Sequence, residues 1–145
     1  MSVIQVVLVK LSVYQQYGLK EEVTISTSYG DYALTITGIQ ETAERNQFSD
    51  KTYPQVFVID YTYRNISSSD SVYISEMNFN IIDQNGEIGG TYPNSTSRNP
   101  EDLTVGVTCR AQMVLGVNNT SNNIKLQYFD NMFNSQPDVV FDINL

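Results

Sequence analysis

The sequence predicts an all-β protein, an antiparallel β-sandwich of about seven or eight strands. Short runs of β-branched and aromatic residues alternate with polar ones, as in Val23-Thr24-Ile25-Ser26, a pattern that suits a pleated surface with one buried face. Clusters rich in Asn, Ser and Gly separate these runs at ~8–12-residue intervals, the rhythm of sandwich strands and turns. No run of useful length carries a helical period.

Taken in order, Val3-Ile4-Gln5-Val6-Val7-Leu8-Val9-Lys10-Leu11 is the most hydrophobic stretch. It is shorter than the ~20 apolar residues of a bilayer-spanning helix and lacks the basic flank of a signal peptide. It reads as a strand, followed by a linker; residues 1–21 form this N-terminal unit and 22–145 the sandwich domain. Val23 to Ser26 is the first domain strand, and Ser28-Tyr29-Gly30-Asp31 breaks it. Tyr32, Leu34 and Ile36 then alternate with Ala33, Thr35 and Thr37, before a polar connection over 40–53. Val56 to Tyr63 is the strongest signal: Phe57, Ile59, Tyr61 and Tyr63 share one face and Val56 and Val58 the other, so both faces look covered.

After the loop Asn65-Ile66-Ser67-Ser68-Ser69-Asp70, a strand is expected from Val72 to Ile82, with Met77, Phe79 and Ile81 facing inward. The following Asp83-Gln84-Asn85-Gly86-Glu87 closes a hairpin, because Asn-Gly suits a type I′ turn. Residues 88–102 are loop-rich. Ala111, Met113, Leu115 and Val117 alternate next, then come a polar break at 118–123 and two last strands at Ile124–Tyr128 and Val139–Ile143.

Composition removes many chemistries. The 145 residues hold eight Lys+Arg against sixteen Asp+Glu, no His and one Cys. Ser-His-Asp and Cys-His catalysis and His-ligated zinc need residues this chain lacks, and one Cys leaves no internal disulfide. No cofactor is expected. A net charge of −8 opposes binding to nucleic acid, whose phosphates require Lys and Arg, and to anionic membranes.

The remaining candidates each have a plain structural reading. Asp83, Asn85 and Glu87 offer oxygens, but only fragments of a calcium-loop spacing. Asp60 lies mid-strand on the Val56/Val58 face, with Arg64 and Arg110 as its expected charge partners, a structural ion pair rather than a catalytic carboxylate. Glu76 reads as a solvated edge charge and Cys109 as a small buried hydrophobe. Tyr29, Tyr32, Tyr53 and Tyr92 lie near loops, where strand-end packing competes with stacking on a sugar or a protein. Phe129, Met132 and Phe133 cluster in an otherwise polar segment. They either plug the end of the sandwich, the first expectation, or form an interaction patch. Four Asn-x-Ser/Thr matches, beginning at Asn65, Asn94, Asn118 and Asn119, are discounted in so Asn-rich a chain.

The segment Tyr53-Pro54-Gln55-Val56-Phe57-Val58-Ile59-Asp60-Tyr61-Thr62-Tyr63-Arg64-Asn65 resembles the core strand of a domain family of unassigned function. That family occurs in secreted and lipid-anchored proteins, mostly of Gram-positive bacteria. Its hairpin motif is matched by Phe79, Ile81 or Ile82, Asp83 and Gly86, and its turn before an alternating strand by Leu103-Thr104-Val105-Gly106. Val105, Ala111 and Leu115 depart from the Pro, Gly and Phe common there. The resemblance implies an Ig-like sandwich, similar to that of the mycobacterial immunoprotective extracellular antigen, and it supplies no catalytic residue.

These readings converge on a non-enzymatic binding module, extracellular or at the cell surface, whose partner is a protein or a cell-envelope component. The alternatives are a carbohydrate-binding or carboxylate-based glycan-processing accessory domain, and a structural subunit forming homo-oligomers through its N-terminal strand by β-augmentation. Neither a nucleic-acid partner nor membrane insertion is expected.

Overall fold

The computed structural model describes residues 16–145; the strand expected within residues 3–11 lies outside them. Among the described residues the strands are β1 (Gln16–Tyr17), β2 (Val23–Thr27), β3 (Gly30–Thr42), β4 (Gln55–Asn65), β5 (Phe79–Ile82), β6 (Gly90–Thr91), β7 (Thr108–Val117), β8 (Asn123–Tyr128) and β9 (Val139–Asn144). They make two sheets, in the orders β1-β9-β8-β5 and β2-β3-β4-β7-β6. All neighbours are antiparallel except β1 and β9, where Gln16 and Tyr17 run parallel to Val140 and Phe141. Two residues of the stretch read as linker are thus part of a sheet.

Strand β4 shows why the sheets face each other. Its Phe57, Ile59, Tyr61 and Tyr63 are all buried, and across the ladder they meet Leu115, Met113, Ala111 and Cys109 of β7. Withdrawing a large apolar side chain from water contributes ~1.5–3 kcal/mol before conformational entropy is counted. Leu126, Phe141, Ile143 and Ile81 meet them from the other sheet in one core. On the outer face, Val56 and Val114 are buried with Tyr92, flanked by Tyr53 and Val58. Beyond Val58 that face opens: Asp60 and Thr62 are half-buried and Arg64 is exposed. The double cover expected for this strand holds for its first half only.

Two local expectations are corrected. The strand predicted from Val72 shrinks to Phe79–Ile82, preceded by a 3-10 turn at Glu76–Asn78. Ser75 Oγ accepts the Met77 N–H at 3.2 Å and Asn78 Oδ1 accepts the Ser75 N–H at 3.1 Å. This reciprocal cap competes with ladder pairing, and it turns Met77 outward to 61% exposure. The hairpin after β5 is also not type I′, which needs positive φ at both central residues. Gly86 has φ 81°, but Lys20 is the only non-glycine with positive φ among the described residues, so Asn85 does not. Instead the Gly86 N–H bonds to the Asp83 carbonyl at 3.0 Å, and Asp83 Oδ1 accepts from the N–H groups of Asn85 and Glu87 at 2.9 and 3.0 Å.

A file of rings crosses the core toward one end of the sandwich. Tyr63 stacks on Tyr61 with centroids 6.1 Å apart, Tyr61 meets Phe79 at 5.8 Å, Phe79 meets Tyr128 at 5.2 Å, and Tyr128 meets Tyr32 at 6.4 Å. Tyr32 faces Asn65 across the ladder, while Tyr128 faces both Phe79 and Val139. The loops at 28–29, 66–78 and 129–138 therefore emerge together at this end.

Candidate functional site

A recess of about 640 Å³ opens among those loops and straddles the two sheets. Side chains from separate loops rim it: Tyr29 (61% exposed), Tyr73 (49%), Met132 (50%) and Phe133 (88%). Asp70, Asp130 and Asp138 supply its carboxylates, and the buried Tyr32 and Tyr128 lie beneath them.

The loops are bonded to each other and to the core. Ile66 and Ser67 both donate their N–H to the Asp31 carbonyl, at 3.1 and 3.0 Å, and the Ser69 N–H reaches the Tyr29 carbonyl at 2.9 Å. Ser67 Oγ accepts the Asp31 N–H at 3.0 Å. So close an approach requires glycine at the hairpin tip: Gly30 has φ +129°, and a Cβ there would sit 2.3 Å from the Ser67 carbonyl oxygen. Asn65, fully buried at the end of β4, organises the next turn. Its Nδ2 donates to the carbonyls of Ser68 and Leu103 at 3.1 and 3.0 Å, and its Oδ1 accepts the Ser68 N–H at 2.8 Å.

In the third loop, the Asp138 N–H donates to the Tyr128 carbonyl at 2.8 Å, and Asp138 Oδ2 accepts the Asp130 N–H at 2.6 Å. The Tyr32 hydroxyl donates to Asp130 Oδ1, so the 2.7 Å contact between phenols is a bond from Tyr128 to Tyr32. Burial first, then Tyr128 and Asp130, push the Tyr32 phenol far above its ordinary range; burial does the same to Tyr128. Both phenols stay neutral and hold the relay in one direction.

Electrostatically the recess is one-sided. Its lining among the described residues includes Asp70, Asp130 and Asp138 but no Lys or Arg. Among the described residues the only ion pair joins Arg64 to Glu22, at 3.3 Å. No Lys or Arg among the described residues is therefore paired with any of the three carboxylates. A second recess of about 610 Å³, on the open sheet face, mixes Asp60 with Arg98 and Arg110 and has no exposed aromatic ring.

The expected ion pair of Asp60 with Arg64 or Arg110 does not form among the described residues. Asp60 Oδ1 accepts from Gln112 Nε2 at 2.9 Å, and Arg64 reaches Glu22 instead. Residues four apart on a strand are ~13 Å apart along its axis, and in the ladder Arg110 stands opposite Thr62 while Gln112 stands opposite Asp60. Of the apolar cluster, Met132 and Phe133 reach the rim. Phe129 is half-buried, held by its N–H to the Asn78 carbonyl at 2.8 Å and its carbonyl to Asn78 Nδ2 at 3.0 Å. Phe133 does not plug the sandwich end. Of Tyr29, Tyr32, Tyr53 and Tyr92, the second and fourth are buried and Tyr29 is the one exposed at the recess. Cys109 is buried in the core.

Sequence reasoning missed Tyr73, Asp70 and Asp138. The available signal was Ile74, an aliphatic residue out of phase with the expected inward face of Tyr73, Met77, Phe79 and Ile81.

The profile of the family described as Domain of unknown function (DUF4352) matches residues 21–139. No curated protein matches. Among solved structures, the secreted protein MPT63 from Mycobacterium tuberculosis superposes with a TM-score of 0.68 at 12% identity, covering 92% of this chain and 99% of that one. The candidate lipoprotein ycdA from Bacillus subtilis gives 0.65 at 13% identity, with 86% of this chain and 39% of that chain covered. The yjhA protein from Bacillus subtilis gives 0.60 at 16% identity, covering 90% and 99%. At these identities the likeness is one of fold: an Ig-like sandwich, as the strand pattern and resemblance predicted.

Proposed function

The chain belongs to the family described as Domain of unknown function (DUF4352), and from that starting point we propose that it is a non-enzymatic binding module acting outside the cytoplasm. Its contact surface is the loop end of the sandwich. The observation that carries this reading is the convergence of Tyr29, Tyr73, Met132 and Phe133 on one recess, each substantially exposed. Aromatic anchors on a supported scaffold are the residues that concentrate binding energy at interfaces. Placement outside the cytoplasm is supported by the likeness to a secreted mycobacterial protein and a Bacillus candidate lipoprotein.

The test compares the wild-type domain with a Met132→Ser/Phe133→Ser variant. Retention on cell-envelope and secreted-protein fractions of the source organism is measured, with thermal melts as the folding control. Equal melting temperatures with retention lost in the variant support the reading. Equal retention places the contact surface elsewhere and sinks it, and so does a wild type that no fraction retains. Retention by purified envelope glycan alone favours the carbohydrate-binding alternative.

A further inference from the structure

We propose that the recess binds an arginine-bearing segment of a partner protein, an inference that rests on the reading of this end as the contact surface. Three features select that occupant. The carboxylates of Asp70, Asp130 and Asp138 line the recess with no Lys or Arg beside them among the described residues, in a chain of net charge −8. Gathering carboxylates without a counter-charge is unfavourable, and a cation supplied by a partner relieves it. Exposed rings at Tyr29, Tyr73 and Phe133 rim the same space, and a cation over an aromatic face gains further attraction.

A guanidinium fits this combination better than an ammonium. It is planar, stacks on rings and grips a carboxylate through two parallel N–H donors. Asp130 Oδ1 and Asp138 Oδ2 are engaged by Tyr32 and by the Asp130 N–H, and each of these carboxylates keeps a second oxygen. Asp70 is exposed, and among the described residues it bonds through its backbone carbonyl alone, toward Asn65 and Ser68. A volume of about 640 Å³ exceeds what one side chain fills, so the occupant is a peptide segment rather than a free small cation. Phosphate-bearing surfaces are repelled by the same carboxylates. A neutral sugar offers the carboxylates no counter-charge, and binding of one would carry no salt dependence.

The experiment titrates the 15N-labelled domain with a capped Gly/Ser peptide carrying several arginines. Matched peptides with lysine or glutamine in place of arginine, and a neutral oligosaccharide, run in parallel. The expected result is amide shifts confined to the neighbourhoods of Tyr29, Tyr73 and Asp130–Phe133. Arginine outranks lysine, and glutamine and the sugar leave these residues unmoved. The affinity falls steeply as salt rises to ~0.5 M, where screening is short-ranged. Asp70→Asn and Tyr73→Ser each weaken the arginine peptide by about threefold or more, with spectra otherwise native. If the glutamine peptide or the sugar binds there as well as the arginine peptide, the cationic occupant is overturned while the contact surface stands. If no probe shifts these residues, or the shifts map elsewhere, both are overturned.

Discussion

Tyr32 and Asp130 are joined by a hydrogen bond from phenol to carboxylate, and Tyr32 in turn accepts from the buried Tyr128 at 2.7 Å. A residue on the recess is thereby wired into the centre of the sandwich. The 129–138 loop owes its position to a core contact as well as to its own turns.

Tyr32→Phe removes the bond to Asp130 and leaves the Tyr128 hydroxyl buried without its acceptor. The expected cost is about 1–3 kcal/mol of stability, read from denaturant midpoints. Amide exchange should accelerate over 129–138 and stay unchanged at 66–69; an unchanged exchange map would show that the relay does not hold the loop.

Asn65→Ala deletes an amide that bridges Ser68 and Leu103 at full burial. Several backbone groups lose their partner at once, so a loss of about 2–3 kcal/mol is expected. Asn65→Asp should be comparably damaging, because it replaces the donor facing two carbonyls with an acceptor. Calorimetry of the two variants checks this.

Gly30→Ala is the sharpest backbone test. Positive φ disfavours alanine, and the added Cβ meets the main chain of Ser67 and Ser68, at 2.3–2.8 Å, rather than a flexible side chain. A drop of at least about 2 kcal/mol is expected, together with displaced resonances for Tyr29 and Asp31. Gly86→Ala, where a Cβ meets nothing within 4 Å, should pay only the φ penalty.

Phe133→Ser separates a rim from a plug. With the side chain 88% exposed, stability should change by no more than about 0.5 kcal/mol. Phe79→Ala, within the core file of rings, should lose ~3–5 kcal/mol. Equal losses in the two variants would mean that Phe133 is buried in solution.

Acid should unfasten the hairpin at Asp83. Burial raises this carboxyl, but hydrogen bonds from Asn119 Nδ2 and the N–H groups of Glu87 and Asn85 outweigh it, leaving the group below its ordinary 3.8. The unfolded chain then binds the proton more readily, so the stabilisation is present above pH ~4 and is lost as pH falls through the lower folded value. Asp83→Asn should flatten the acid limb of a stability–pH curve measured from pH 2 to 6 and leave its neutral-to-alkaline limb in shape.

The sheets were legible because burial imposes a period of two: Phe57, Ile59, Tyr61 and Tyr63 announce a core strand by alternation alone. The failures share a cause. At Ser75–Asn78 and at Asp83–Gly86, side chains bond to nearby backbone, and such local bonds leave no periodic trace. The recess was half legible. Met132 and Phe133 stood out as apolar residues in a polar loop, but Asp70, Asp138 and Tyr73 join them only through tertiary placement. Asp60, Arg64 and Arg110 failed in the opposite way: their charges matched, while the ladder register gave Asp60 an amide and sent Arg64 across to Glu22.

The parallel pairing of Gln16 with Val140 decides how the domain can be held. Because β1 runs with β9, Gln16 lies beside Val140, close to Asp138 and the recess. Leu145, whose N–H bonds to the Asn122 carbonyl at 2.8 Å, leaves at the far end. A tether at Leu145 would point the mouth outward. An immobilised binding assay should be anchored there.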